Sequence, residues 1–175
     1  QSAQQARAAI DEARMMVAKF LNCQPTEIFF TGSGTESNNW AIRGVMEQAL
    51  FSIPTEPEGR MKGSPHLVSS TIEHPSILRT LEYCQRRFGA DITLLPVNSD
   101  GLVSLEDLKK SLRPETVLVS IHFVNNEIGV VQPVENIGKL CRQRGVLFHT
   151  DACQAAGYFN LDIAMLHADL LSFNA

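Results

Sequence analysis

Along this chain the spacing of apolar residues switches repeatedly between two periods, and that alternation limits the folds open to it. Residues 3–21 carry Ile10, Ala13, Val17 and Phe20 at helical spacing, and "EIFFT" at 27–31 follows a turn at Pro25 as a short β-rich run. Residues 36–51 are helical again, and "HLVSS" from His66 is extended. Pro75 opens a helix running towards Phe88, and "ITLLPV" from Ile92 reads as a strand. Ser104 with Asp107 forms a capping pair for a short helix, and "TVLVSIHFV" from Thr116 is a buried strand. Residues 133–144 form a helix closed by Gly145, and "VLFHT" and "DLLSF" complete the series. Short apolar strands separated by amphipathic helices predict an α/β fold with a mostly parallel sheet and helices on both faces.

With 44% hydrophobic and 19% charged residues in 175, the chain is too apolar for disorder and long enough for one sizeable core. A net charge of -4 gives no electrostatic reason to expect nucleic acid or an anionic membrane surface as partner, which leaves small molecules. No apolar run has the length of a membrane-spanning helix, and the first 21 residues lack the charged start and apolar core of a secretory signal. Cys23, Cys84, Cys141 and Cys153 lie far apart and never as CxxC, so neither a zinc site nor a disulfide framework is expected; reduced thiols in the cytoplasm fit. The one compositional break, residues 52–65 ("SIPTEPEGRMKGSP"), reads as a surface insertion.

In parallel α/β sheets, ligands collect beyond the carboxyl ends of the strands. Four loops there are unusual. "GSGTES" leads from "EIFFT" into a helix; its glycines permit close backbone approach, and the helix start offers free N–H groups to a phosphate, with the Thr35 hydroxyl beside them. "TIEHPS" puts His74 just before a helix-opening proline. "NNEIG" at 125–129 carries two amides and an acid where a turn needs only one of them. Asp151 ends "VLFHTD", with Gln154 three residues on. Each loop alone has a purely structural reading: Thr35 or Asp151 as a helix cap, His74 as a structural histidine. All four together supply a phosphate cradle, an aromatic ring, amide donors and a carboxylate, a set suited to a phosphorylated heteroaromatic cofactor. In such a set the carboxylate can hold a ring nitrogen protonated through a charge-assisted hydrogen bond.

The segments "FFTGSGTESNNWAIRG", "STIEHPSI", "VSIHFVNNEIGVVQPV", "VLFHTDACQAAG" and "DLLSFNA" resemble, in order and over nearly the whole chain, the class-V aminotransferase-like enzymes, and within them the cysteine desulfurases of the NifS and IscS type. The resemblance implies the large domain of a fold-type-I transferase dependent on pyridoxal 5'-phosphate, with residues 1–175 as part of that domain. It implies that Gly34 and Thr35 bind the phosphate, His74 stacks on the ring, Asn126 and Gln154 hydrogen-bond the ring oxygen, and Asp151 pairs with the ring nitrogen. His74 and Asp151 are thereby the catalytic candidates. Asn174 stands where the family has a phosphate-binding serine; an amide can still donate there.

The reaction implied is removal of sulfur from L-cysteine as an enzyme persulfide, leaving L-alanine, for iron–sulfur cluster assembly or other sulfur-transfer pathways. The partners implied are sulfur-acceptor or scaffold proteins and a second copy in a homodimer. The insertion before His66 is similar in placement to one in the selenocysteine lyase branch, so L-selenocysteine is the alternative substrate. A class-V enzyme acting on another amino acid, or a non-catalytic cofactor-binding or assembly module, are the further readings. In the family a histidine and then the anchoring lysine follow directly after the position of Ala175, and the sulfur-accepting cysteine lies further on. The chain is therefore expected to be a fragment, inactive alone, in a gene that continues with His-Lys.

Overall fold

A computed structural model describes residues 2–52 and 63–174. Five strands, β1 (His66–Ser70), β2 (Asp91–Leu95), β3 (Thr116–Ser120), β4 (Leu147–Asp151) and β5 (Leu170–Ser172), form one sheet in the order β2-β1-β3-β4-β5. Every pairing between them is parallel. The register sets Ser120 beside His149 and Asp151 beside Ser172, so several polar residues finish at one edge of the sheet.

Among the described residues, six helices flank these strands: α1 (Ser2–Leu21), α2 (Gly34–Ser52), α3 (Pro75–Phe88), α4 (Leu105–Ser111), α5 (Val134–Arg144) and the single turn α6 (Ile163–Leu166). Local chemistry sets their ends. His74 caps α3 by accepting from Ser76 N, Pro75 supplies a preset φ at the first helical position, and Gly89 closes the helix in the left-handed region at φ 68°. Ser104 accepts from Asp107 N at the start of α4, as its spacing predicts.

Because strand side chains alternate faces, the sheet carries two cores. Val68, Val119 and Phe148 pack with α1 and α5 through Ala18, Leu21, Ile137 and Cys141. Leu67 and Leu118 point the other way, onto Ile42 and Met46 of α2 and Ile77 and Leu81 of α3. Each fully buried Leu, Ile or Phe contributes about 2 kcal/mol through its removal from water. Helices thus cover both faces of a parallel sheet, as the alternating periods predict.

One predicted strand is absent. In "EIFFT", Pro25–Glu27 form a 3₁₀ turn and residues 28–31 run extended without pairing to another described strand. Ile28 turns into the core, Phe29 and Phe30 stand exposed, and the Arg14 guanidinium lies 5.0 Å from the Phe30 ring centroid. β-propensity reflects packing against neighbours on a pleated surface, and this run has no neighbouring strand among the described residues to supply it. Two other strands are shorter than expected: β3 stops at Ser120, beyond which Val124 bridges Val131, and "DLLSF" narrows to Leu170–Ser172. The expected insertion at 52–65 falls mostly on residues 53–62, outside the described residues.

Among the described glycines the tightest surroundings are at Gly138. A Cβ there would lie 2.1 Å from the Leu166 carbonyl oxygen and 3.0 Å from Phe148 Cδ1, so only glycine lets α5 seat against α6 and β4. Exposed Gly44 in α2 has nothing within 4 Å of its would-be Cβ. Gly138→Ala should therefore destabilise the fold by about 2 kcal/mol or more through overpacking against backbone, whereas Gly44→Ala should stabilise it by about 0.5–1 kcal/mol. Urea unfolding midpoints of the two variants test this opposition of sign.

Candidate functional site

The strand order reverses once. From β1 the chain moves outward to β2, then crosses back over β1 to β3 and continues to β4 and β5. Loops leaving β1 and β3 diverge at such a reversal and open a crevice beyond the strand ends. A cavity of about 220 Å³ lies there, and all seven residues picked out in the sequence line it: Gly34, Thr35, His74, Asn126, Asp151, Gln154 and Asn174. A larger cavity of about 540 Å³ runs beside β5, between Leu21, Ile28, Trp40, Leu171 and Phe173. That second wall is mainly apolar, whereas the polar residues converge on the smaller cavity, which is the candidate site.

Asp151, the last residue of β4, is buried and held at both oxygens. Its Oδ1 accepts from Cys153 N at 3.0 Å, and its Oδ2 accepts from Asn38 Nδ2 at 2.7 Å. The same Asn38 amide donates to Ser76 Oγ at 2.9 Å, and Ser76 Oγ lies 2.7 Å from His74 Nδ1. His74 Nδ1 also accepts from Ser76 N at 3.1 Å, so it carries no proton and the neutral ring bears its hydrogen on Nε2. One run of hydrogen bonds, from Asp151 through Asn38 and Ser76, therefore sets the acid and the ring together.

The α2 start brings its own constraint. A Cβ on Gly34 would sit 2.7 Å from Cys153 Sγ and 3.7 Å from Asn174 Oδ1, so glycine is what allows the helix start to approach the loop after β4. Ser33 Oγ accepts from Glu36 N, and Ser33 O accepts from Ser37 N. The N–H groups of Gly34 and Thr35, at the first helical positions, have no intrahelical acceptor. Of the paired amides, Asn125 is spent on the loop: its Oδ1 accepts from Glu127 N and Ile128 N, and its Nδ2 donates to Ile72 O. Asn126 is the one left to the cavity wall.

Four further residues complete the wall or stand behind it, none of them singled out by sequence reasoning. Asn38 is one helical turn beyond Gly34 and so on the same face of α2, a signal that was available. Ser76 follows the helix-opening proline. His122 lines the cavity two residues beyond Ser120 on the same side of the strand, and Glu73 lies behind it. Within this wall Asn38 Oδ1 and His122 Nε2 are buried without a hydrogen-bond partner, although such groups are almost always satisfied. Burial, reinforced by the Asp151 charge, pushes the Cys153 thiol far above its usual range, which leaves it protonated and a poor nucleophile.

The Aminotransferase class-V family model matches residues 1–175. Among curated relatives, "Cysteine desulfurase IscS" of Clostridium botulinum is 41% identical over 167 residues, covering 95% of this chain and 39% of the relative. "Cysteine desulfurase, mitosomal" of Encephalitozoon cuniculi is 46% identical over 171 residues, covering 98% of this chain and 37% of the relative. Among solved structures, "SspA in complex with cysteine" superposes with a TM-score of 0.88 at 37% identity, over 98% of this chain and 46% of that one. This chain thus spans about two fifths of the length of the curated relatives it matches.

Glu73 is fully buried; it accepts from Ser70 Oγ and, at 3.0 Å, from His122 N. Burial raises its carboxyl from an ordinary 4.5 to about 8, with Asp151 adding to the rise. A raised carboxyl binds its proton more tightly folded than unfolded, so its stabilising contribution is complete below pH 4.5 and is lost as the pH climbs to about 8. Glu73→Gln should remove that dependence. Chemical denaturation at pH 5 and pH 8 should show the wild-type chain losing more stability across the interval than the variant does.

Proposed function

Because the chain belongs to the class-V aminotransferase family, we propose that it forms the cofactor-binding part of a pyridoxal-phosphate-dependent cysteine desulfurase, which takes sulfur from L-cysteine and leaves L-alanine. The observation that carries this reading is the convergence of a glycine-started helix, a ring, two amides and a buried carboxylate on one cavity at the strand ends.

The residues fit the cofactor. The N–H groups at the start of α2, the Thr35 hydroxyl and the Asn174 amide would hold its phosphate, with Gly34 leaving room for that approach. His74 would lie against the ring, Asn126 and Gln154 would donate to the ring oxygen, and Asp151 would accept from the ring nitrogen. Bound there, pyridoxal phosphate supplies an electron sink for the α-carbon of an amino acid.

The chain's own contribution is to hold those groups still. Asp151 is only 7% exposed, so its hydrogen bond to a cationic N–H is less screened than in water, and Asn38 and Cys153 N fix the direction of its oxygens. Ser76 locks the tautomer and orientation of His74. Cys153, kept protonated by burial, is not the sulfur acceptor in this reading. That cysteine and the lysine anchoring the cofactor belong to the remainder of a longer protein, as does the surface that docks a sulfur-acceptor protein. The whole enzyme is read as a homodimer of the cytoplasm or of an organelle of the mitochondrial kind, with residues 1–175 as part of its large domain.

The test uses the full-length protein. It should take up pyridoxal phosphate with a visible colour and release alanine from L-cysteine faster than from L-selenocysteine. Asp151→Asn, checked for native folding by circular dichroism, should slow alanine release about a thousandfold, equivalent to about 4 kcal/mol of barrier. A protein that takes up no cofactor, or an Asp151→Asn variant with wild-type turnover, overturns the reading.

A further inference from the structure

We propose that His122, backed by Glu73, is a further cofactor-contacting residue of this cavity, using its unpaired Nε2 to hydrogen-bond the group held by Asp151. This rests on the reading of the cavity as a pyridoxal phosphate site.

Backbone register places the residue. Ser120 Oγ lies 2.9 Å from His149 Nδ1, which puts both side chains on the α2 face of the sheet. Two residues further along each chain, His122 and Asp151 share that face, and Phe123 N donates to Asp151 O at 2.8 Å to fix the pairing. His122 is 3% exposed and lines the cavity, yet Nε2 meets no partner. An unsatisfied buried nitrogen is destabilising, so a wall that keeps one is offering it to a ligand.

The other face of the ring is occupied. Nδ1 stands 3.6 Å from Glu73 Oε2, and that oxygen also accepts from His122 N. The backbone bond keeps Glu73 beside the Nδ1 edge of the imidazole, and Nε2 is the ring nitrogen left without a partner. The titratable groups around the pair are Asp151 of β4 and His74 at the start of α3, with His149 further down β4; α2 contributes the uncharged Asn38. Burial lowers the imidazole to about 4 and raises Glu73 to about 8, so at neutral pH the imidazole and the carboxyl are both uncharged. A neutral His122 forms no ion pair with Asp151 and so does not compete with a ring nitrogen for that side chain. A neutral imidazole can also serve as donor or acceptor at Nε2 according to tautomer.

Two arms test this on the full-length protein with pyridoxal 5'-phosphate as the probe. In equilibrium dialysis at pH 7, His122→Leu should bind the cofactor about tenfold more weakly than wild type. His122→Gln, whose amide can also donate or accept, should recover most of that loss. In wild-type protein labelled with ¹⁵N-histidine, the His122 Nε2 resonance, assigned by its absence from His122→Gln, should move on addition of the cofactor. Inorganic phosphate should leave it in place, because it reports on the Asp151 side of the cavity. Wild-type protein that binds no cofactor overturns the site reading and this proposal with it. Normal wild-type binding with an unmoved resonance, or one moved equally by phosphate, overturns the His122 assignment alone. So does a folded His122→Leu variant that binds as tightly as wild type. If His122→Leu does not fold, the resonance arm decides by itself.

Discussion

The hydrogen bond from Asn38 to Asp151 joins the first turn of α2 to the tip of β4, and the arrangement of the cavity depends on it. Without that donor, Asp151 would keep only the Cys153 backbone N–H from its own loop. Burying a carboxylate is costly unless hydrogen bonds replace its water, and here one comes from a helix far away in sequence. The same amide reaches Ser76, so α2, α3 and β4 are tied through a single side chain. A geometry spread over three loops thereby becomes one rigid unit, which a site must be to hold a flat ligand at a fixed angle.

The cavity wall also carries buried polar groups that a purely structural design would avoid. Glu73, His122, Asn38 and Asp151 are all buried, on a face whose deeper part is Leu67, Leu118 and Ile77. Two of these polar groups have an atom left unpaired. Stability is given up beyond the strand ends, while apolar packing below them supplies it, a division expected when functional residues are mounted on a scaffold built for something else.

Most of the fold was legible because its signals are local. The proline and glycine bounding α3, the Ser104 cap and the period switches act within a few residues. "EIFFT" failed because a strand needs a partner, and pairing is not a property of five residues read alone. The site followed the same division. Gly34, Thr35, His74, Asn126, Asp151 and Gln154 stand in loops with unusual composition, Asn174 was picked out by resemblance, and all seven line one cavity. Asn38 lies inside a helix and His122 follows an apolar strand, where each reads as ordinary. Their importance comes from Asp151 and Glu73, more than 100 and about 50 residues away respectively. Contacts of that separation leave no mark on the periodicity of a single chain.

The side of the molecule along β5 has a consequence of its own. β5 is a three-residue edge strand, and across the 540 Å³ groove from it run the unpaired residues 28–31 with two exposed phenylalanines. An edge with free N–H and C=O groups beside apolar surface is a template for another strand, and among the described residues neither β5 nor residues 28–31 carry the lysines or prolines that commonly blunt one. Adding another strand to this strip would bury both the edge and the apolar surface beside it. The net charge of -4 sets only a weak general repulsion against it.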